Sequence, residues 1–174
     1  MQTYEGVKTM AELIKNFVKR FDAQISLDWG LVARKGNKFF YLHQNLKSLV
    51  EKNRRYYYAG LPLGKVKHGK FFPSFPLLFM TVEKAKNRIV VDDKAAWLFI
   101  CGRDIFKEGV MQVEGSREKG SYTLIFNKHG ECLGFGRIRQ NLDRVKKGVA
   151  VENVLDIGDF LRREKHQRLN AAQF

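Results

Sequence analysis

The chain has 174 residues, 44% hydrophobic and 13% aromatic, enough to bury a core in one domain or two small ones and too apolar for a disordered chain. A net charge of +14 and a pI near 9.9 point to a polyanionic partner, nucleic acid ahead of an anionic membrane surface. No run approaches the roughly 18 apolar residues of a membrane span, and the first ten residues hold no signal-type apolar stretch, so a soluble intracellular protein is expected.

Taken in order, Thr9-Met10-Ala11-Glu12 has the T-x-x-E form of a capping box. Leu13, Ile14, Phe17, Val18 and Phe21 follow at helical spacing, with Lys15, Lys19 and Arg20 opposite, which predicts an amphipathic helix. Residues 28–38 contain Gly30 and Gly36 and read as a strand and turn leading into Phe39-Phe40-Tyr41. Leu42, Leu46, Leu49 and Val50 predict a second helix over 42–52. Arg54-Arg55-Tyr56-Tyr57-Tyr58 sets cations beside aromatics; it suits base stacking, and a half-buried strand of tyrosines uses the same letters.

The stretch Gly60 to Lys70 resembles a phosphate loop only superficially. Gly60 and Gly64 are separated by three residues instead of four, and Val66 stands after Lys65 where magnesium binding needs Ser or Thr. Its glycines are expected to bend a strand while Lys65, Lys67 and Lys70 project charge. Ser74 with Pro76 marks a helix start, and the apolar run Leu77 to Val82 places that helix, extended to Lys86, centrally in the first domain.

Arg88 to Val91 reads as a strand, and Asp92 or Asp93 caps a helix through Trp97 and Phe99. Residues 122–127 alternate with period two, Lys128-His129-Gly130 is a turn, and Cys132 to Ile138 is the return strand of a hairpin. Gly134 and Gly136 mark a bend or a close backbone approach in that strand. Val149 to Val154 is a third strand. Asp156 then caps a short helix whose Ile157, Phe160 and Leu161 face the sheet, leaving Arg162, Arg163 and His166 in solvent.

Cys101 and Cys132 lie in apolar segments and read as buried reduced thiols, and no Cys or His pair has metal-ligand spacing. Residues 1–90 hold 17 Lys and Arg against 6 acids, a net of +11, while residues 91–174 hold 15 against 12, a net of +3.

The hairpin, the G-F-G strand and D-I-G-D-F-L-R-R-E over 156–164 together resemble the end of a PUA domain, and AAWLFICGRDIFKEGV over 95–110 its start. Upstream, LPLGKV over 61–66, Lys70-Phe71-Phe72 and the apolar helix resemble the pre-PUA domain of the Nip-seven family of ribosome biogenesis factors. The resemblance covers roughly residues 38–164. It implies an α+β protein: an N-terminal α/β pre-PUA domain over 1–87, packed against a C-terminal PUA-type β-barrel with flanking helices over 88–174.

It further implies RNA contact by basic residues on and beyond the last helix, carried directly by Arg162 and Arg163, with Lys165 and Arg168 following. Gly102, Gly109, Gly134 and Gly136 are candidates for close RNA approach, or else shape turns, and Arg103 is a further candidate RNA contact. Lys65, Lys67 and Lys70 would add a secondary electrostatic contact to RNA or face an acidic protein. The expected function is a non-catalytic RNA-binding factor in large-subunit assembly and pre-rRNA processing, with no cofactor or metal, and with RNA, namely pre-rRNA, and other assembly factors as partners. A monomer is expected, cytoplasmic or, in a eukaryote, nucleolar. The alternatives are an adaptor of pre-ribosomal complexes and a PUA-containing RNA-modifying enzyme. Against the enzyme, the first domain offers few acids and no Gly-rich cofactor loop.

Overall fold

The computed structural model describes residues 4–53, 56, 59–159 and 162, with backbone alone for 4–10. The chain divides into two compact units, Met1–Lys19 with Ala23–Lys84, and Arg20–Asp22 with Ala85–Phe174.

In the first unit, α1 (Tyr4–Lys19) starts upstream of the expected capping box. Thr9 is inside the helix, where its backbone N–H and carbonyl already serve the helical ladder, so it is not a cap. The buried Ile14, Phe17 and Val18 recur at helical spacing and form its apolar stripe. The strands β1 (Val32–Lys35) and β2 (Lys38–Tyr41) form a hairpin. After α2 (Gln44–Lys52), the second hairpin is β3 (Leu61–Lys67) and β4 (Lys70–Pro73). The four strands make one antiparallel sheet in sequence order.

Gly64 (φ 150°) sits where a Cβ would strike the Phe72 carbonyl and the Phe71 ring, next to a register shift between β2 and β3. It is a strand glycine, as the failed phosphate-loop spacing implies. Ser74 precedes α3 (Phe75–Val82), but its hydroxyl donates to the Pro62 carbonyl and makes no cap bond. The helix ends at Val82, short of Lys86, and its outward Phe79 is exposed while Leu77 and Leu78 are buried.

The second unit is built on β5 (Arg88–Val91), β6 (Ile105–Phe106), β7 (Val110–Glu114), β8 (Tyr122–Phe126), β9 (Cys132–Ile138) and β10 (Val149–Asp156). The order across the sheet is β6-β10-β9-β8-β5-β7, antiparallel except for the parallel pair β5–β8. The two outermost strands, β6 and β7, are joined by the single 3₁₀ turn Lys107–Gly109. The sheet therefore curls until its edges are three residues apart, the geometry of a barrel, and its interior holds Ile89, Val91, Ile105, Ile125, Ile138, Ala150 and Val151.

The helix α4 (Asp93–Ile100) begins at Asp92, whose carboxylate accepts the Ala95 N–H at 2.7 Å, and buries Ala95 and Phe99. From Thr123 to Phe126, β8 is buried on both faces instead of alternating in and out. The face away from the barrel interior is covered in part by Phe21, which sets its ring edge-on to Tyr122 and Phe135. The Phe21 carbonyl also accepts the N–H groups of Lys86 and Asn87.

Candidate nucleic-acid interface

The end of β10 carries the features that the last helix was expected to hold. Asp156 is an N-cap, accepting the Asp159 N–H at 3.0 Å. Its side chain is only 3% exposed, so an ionised carboxylate there needs a charged partner. Arg162 supplies one: Nη2 donates to Oδ1 at 3.0 Å and to Oδ2 at 2.8 Å, and Nη1 donates to the Ile100 carbonyl at 2.7 Å. The guanidinium is thus partly enclosed instead of free in solvent. Its pKa is raised above the ordinary value, first by the hydrogen bond to Asp156.

Three glycines give this arrangement its space. A Cβ on Gly158 would lie 2.0 Å from the Ile100 carbonyl oxygen and 2.9 Å from Arg162 Nη1. Gly158 was not singled out from the sequence, although its place between a capping Asp and the following helical residues is the available signal. Gly134 (φ 146°) pairs with Asp156 across β9 and β10, and a Cβ there would meet the Leu155 carbonyl oxygen at 2.1 Å. Gly102 (φ 84°) ends α4 in a Schellman arrangement: its N–H donates to Phe99 and the Arg103 N–H donates to Leu98. Its missing side chain leaves room for Arg162 Nη2, 3.3 Å from where a Cβ would stand.

The helix end is tied to the sheet a second time. Asn153 donates its N–H to Asp104 at 2.8 Å and its side-chain amide to the carbonyls of Phe99 and Arg103. The structure thus gathers Gly102, Gly134 and Arg162 at Asp156, with Arg103 tied to Asn153 on the same strand. Of these, Gly102 and Arg103 are exposed, and Gly134 is buried in the sheet. Gly136 is buried too, with Val151 Cγ1 2.4 Å from a Cβ position, and Gly109 packs on Ala95. These last three glycines serve packing within the unit and offer no open backbone. Arg163, Lys165 and Arg168 lie outside the described residues, as do Phe160 and Leu161; Ile157, expected to face the sheet, is exposed.

Sequence reasoning also passed over a cationic loop between β9 and β10. Leu142 and Val145 are buried and pin it, while Arg144, Lys146 and Lys147 between and after them are exposed. Lys107 donates its ammonium to the Leu142 carbonyl at 3.1 Å and its N–H to the Gly148 carbonyl. The alternation of buried anchors and cations is the signal that could have found it.

Cys101, expected to be buried, is exposed at the C-cap of α4. Cys132 is buried, and burial pushes its thiol up to about 11. Among the described residues no three His, Cys, Asp or Glu side chains converge as a metal site requires, and no helix is long and apolar enough to cross a membrane.

In the first unit, Lys65, Lys67 and Lys70 are exposed on the β3–β4 hairpin, and none of the ion pairs among the described residues involves them. A cavity of about 610 Å³ in the same unit is lined by residues 30–36 of the first hairpin, by Lys47, Val50 and Glu51 of α2, and by Tyr56.

Residues 87–165 match the sequence model of the family described as UPF0113 PUA domain. The second unit has a PUA-type fold. A UPF0113 protein of Archaeoglobus fulgidus is 34% identical to the chain over 115 residues, 63% of this chain, and the match spans 64% of that relative's length. Two solved structures share the fold across most of the chain. A conserved PUA domain protein from Thermoplasma acidophilum has a TM-score of 0.58 at 21% identity, covering 90% of this chain and 95% of its own. A hypothetical protein from Pyrococcus horikoshii has a TM-score of 0.53 at 15% identity, covering 88% and 95%.

Proposed function

We propose that the chain is a non-catalytic RNA-binding factor acting in ribosome biogenesis, in large-subunit assembly and pre-rRNA processing, through its PUA domain. The observation that carries this reading is the locked junction of α4 and β10. It holds Gly102 and Arg103 exposed beside the Asp156–Arg162 pair, and the sequence runs on from there into Arg163, Lys165 and Arg168. A rigid edge bearing cations suits phosphate, because the positioning entropy is spent in folding. The net charge of +14 and the resemblance to the Nip-seven family support the same reading.

The absence of chemistry is part of the proposal. Asp156, the buried acid among the described residues, already has its carboxylate committed to a guanidinium and to a backbone N–H. A catalytic aspartate would need a free oxygen facing a pocket. The partners are pre-rRNA and other assembly factors, and the site of action is the cytoplasm, or the nucleolus in a eukaryote.

The test is RNA binding by the full chain and by Arg103→Ala/Arg163→Ala, over a range of salt. Each lost phosphate contact weakens binding and flattens the log–log salt slope by about 0.7–0.9. Unchanged affinity and slope would remove the PUA edge from the interface. Arg162 is left intact in this variant because it supports the fold.

An adaptor role is favoured by a separate observation. Trp97 on α4, Phe106 on β6 and Met111 on β7 are exposed large apolar side chains. An adaptor stays with its pre-ribosomal complex after RNase treatment; an RNA-tethered factor is released.

A further inference from the structure

The register of the first unit's sheet assembles a surface that no local stretch of sequence displays. Directly opposed residues in antiparallel strands share a face. Lys35 opposes Lys38, Lys38 opposes Lys65, and Lys65 opposes Phe72, so these four form one row across all four strands. One step along β3 and β4, Lys67 opposes Lys70 on the same face. The opposite face carries Phe39, paired with Gly64, and Phe71, whose ring meets Phe17 of α1 at 5.9 Å. Arg34 shares that face at its β1 edge and is exposed, while the other face buries Phe40 and carries five lysines.

Aromatic rings stand at both ends of the row. Phe72 is 39% exposed on β4, and at the β1 end Tyr56 lies under the Lys35 ammonium, 4.1 Å from its ring centroid. Three strand spacings of about 4.8 Å separate β1 from β4, so the row runs roughly 14 Å. Lysines opposed directly across strands repel one another and weaken the sheet. Lys67 and Lys70 form such a pair on this face. A bound polyanion would relieve that repulsion.

The geometry points to a second nucleic-acid site, separate from the PUA edge: the lysine face of the β1–β4 sheet binds single-stranded RNA. The lysines track phosphates across the strands, and Phe72 stacks a base. An unpaired strand is the form that fits, since a base must leave its helix to lie on an aromatic ring, while a duplex keeps its bases stacked on one another. An acidic protein segment could answer the lysines but has no base for Phe72 to stack.

The experiment compares binding of a short oligouridylate, a duplex RNA of equal length, and polyglutamate by the full chain, at two salt concentrations. The variants are Lys65→Ser/Lys67→Ser/Lys70→Ser, Phe72→Ala, Lys67→Glu and, for the other site, Arg103→Ala/Arg163→Ala. Urea midpoints establish that each is folded. The triple variant is expected to lose at least about tenfold in oligouridylate affinity at low salt, with a slope shallower by about 2. Phe72→Ala is expected to lose about tenfold on the single strand and nothing on the duplex. Lys67→Glu should weaken RNA binding while remaining folded.

Loss in the sheet variants with none in the PUA-edge variant would sink the PUA reading and leave this one standing; the converse would sink this one. Equal loss of single strand and duplex by Phe72→Ala would overturn base stacking. Loss of polyglutamate binding alone would make the face a protein site and overturn the proposal.

Discussion

Arg162 Nη2 donates to both oxygens of a buried Asp156 while Nη1 reaches the Ile100 carbonyl, 62 residues away in sequence. One side chain thereby joins the end of the last strand to the end of α4. Arg162→Ala leaves a buried carboxylate without its cation, so stability should fall by about 3 kcal/mol. Arg162→Lys keeps the charge and loses the planar fork, and should recover part of that loss. Urea denaturation measures both. The raised pKa of Arg162 means its contribution is complete below the ordinary arginine value and is lost only at pH above it, so the penalty should be flat across neutral pH.

The two cysteines should separate cleanly. Cys101 is exposed and should react with a thiol reagent in the native protein; Cys132, with its thiol raised to about 11, should react only on unfolding. The same shift predicts an alkaline effect. Between about pH 9 and 11 the folded state holds a proton that the unfolded chain releases, so stability should drop with rising pH, by at most about 3 kcal/mol. Cys132→Ser should remove that dependence.

Gly134 and Gly158 should not tolerate alanine. Each added Cβ would sit about 2 Å from a carbonyl oxygen, of Leu155 and Ile100 respectively, and Gly134 also holds a φ of 146°. We expect losses of more than about 2 kcal/mol at either position. Gly158→Ala should additionally displace Arg162, so combining it with Arg162→Ala should cost less than the two separate losses together. A double-mutant cycle reads this directly.

Lys67 directly opposes Lys70 across β3 and β4. Replacing Lys67 by Glu turns a repelling pair into an attracting one, and should raise stability by a few tenths of a kcal/mol at low salt. Near 1 M salt, where screening acts within about 3 Å, the gain should vanish. Thermal melts at two salt concentrations check this, and a gain in stability beside a loss in RNA binding would mark the repulsion as a functional cost.

Much of the second unit was legible because its signals are local. The β8–β9 hairpin follows from period-two residues around Gly130, and α4 follows from the Asp92 cap. Where the chain was misread, two local meanings shared one set of letters. Thr9 satisfied a capping box but lies within a helix that starts earlier. Cys101 sits in an apolar run, yet the Schellman turn at Gly102 leaves it on the surface. Arg162 looked like a solvated helix end because its partners are a carboxylate six residues back and a carbonyl on another element. The lysine row was legible only in part. Lys65, Lys67 and Lys70 are close in sequence, but Lys35, Lys38 and Phe72 join them through strand register alone.

Phe21 belongs with Arg20 and Asp22 to the PUA unit although the chain on either side of it does not. Fully buried, it sets its ring on Tyr122 and Phe135, more than a hundred residues downstream. A fragment beginning at residue 85 would therefore lack an aromatic plug as large as those whose removal costs about 3–5 kcal/mol. It would also lose the carbonyl that receives Lys86 and Asn87. A ribosome making this chain exports Phe21 first and must then add more than a hundred residues before Tyr122 and Phe135 exist to receive it. Until then that ring has no home, and a peptide spanning Arg20 to Asp22, supplied in trans, could compete for the vacancy.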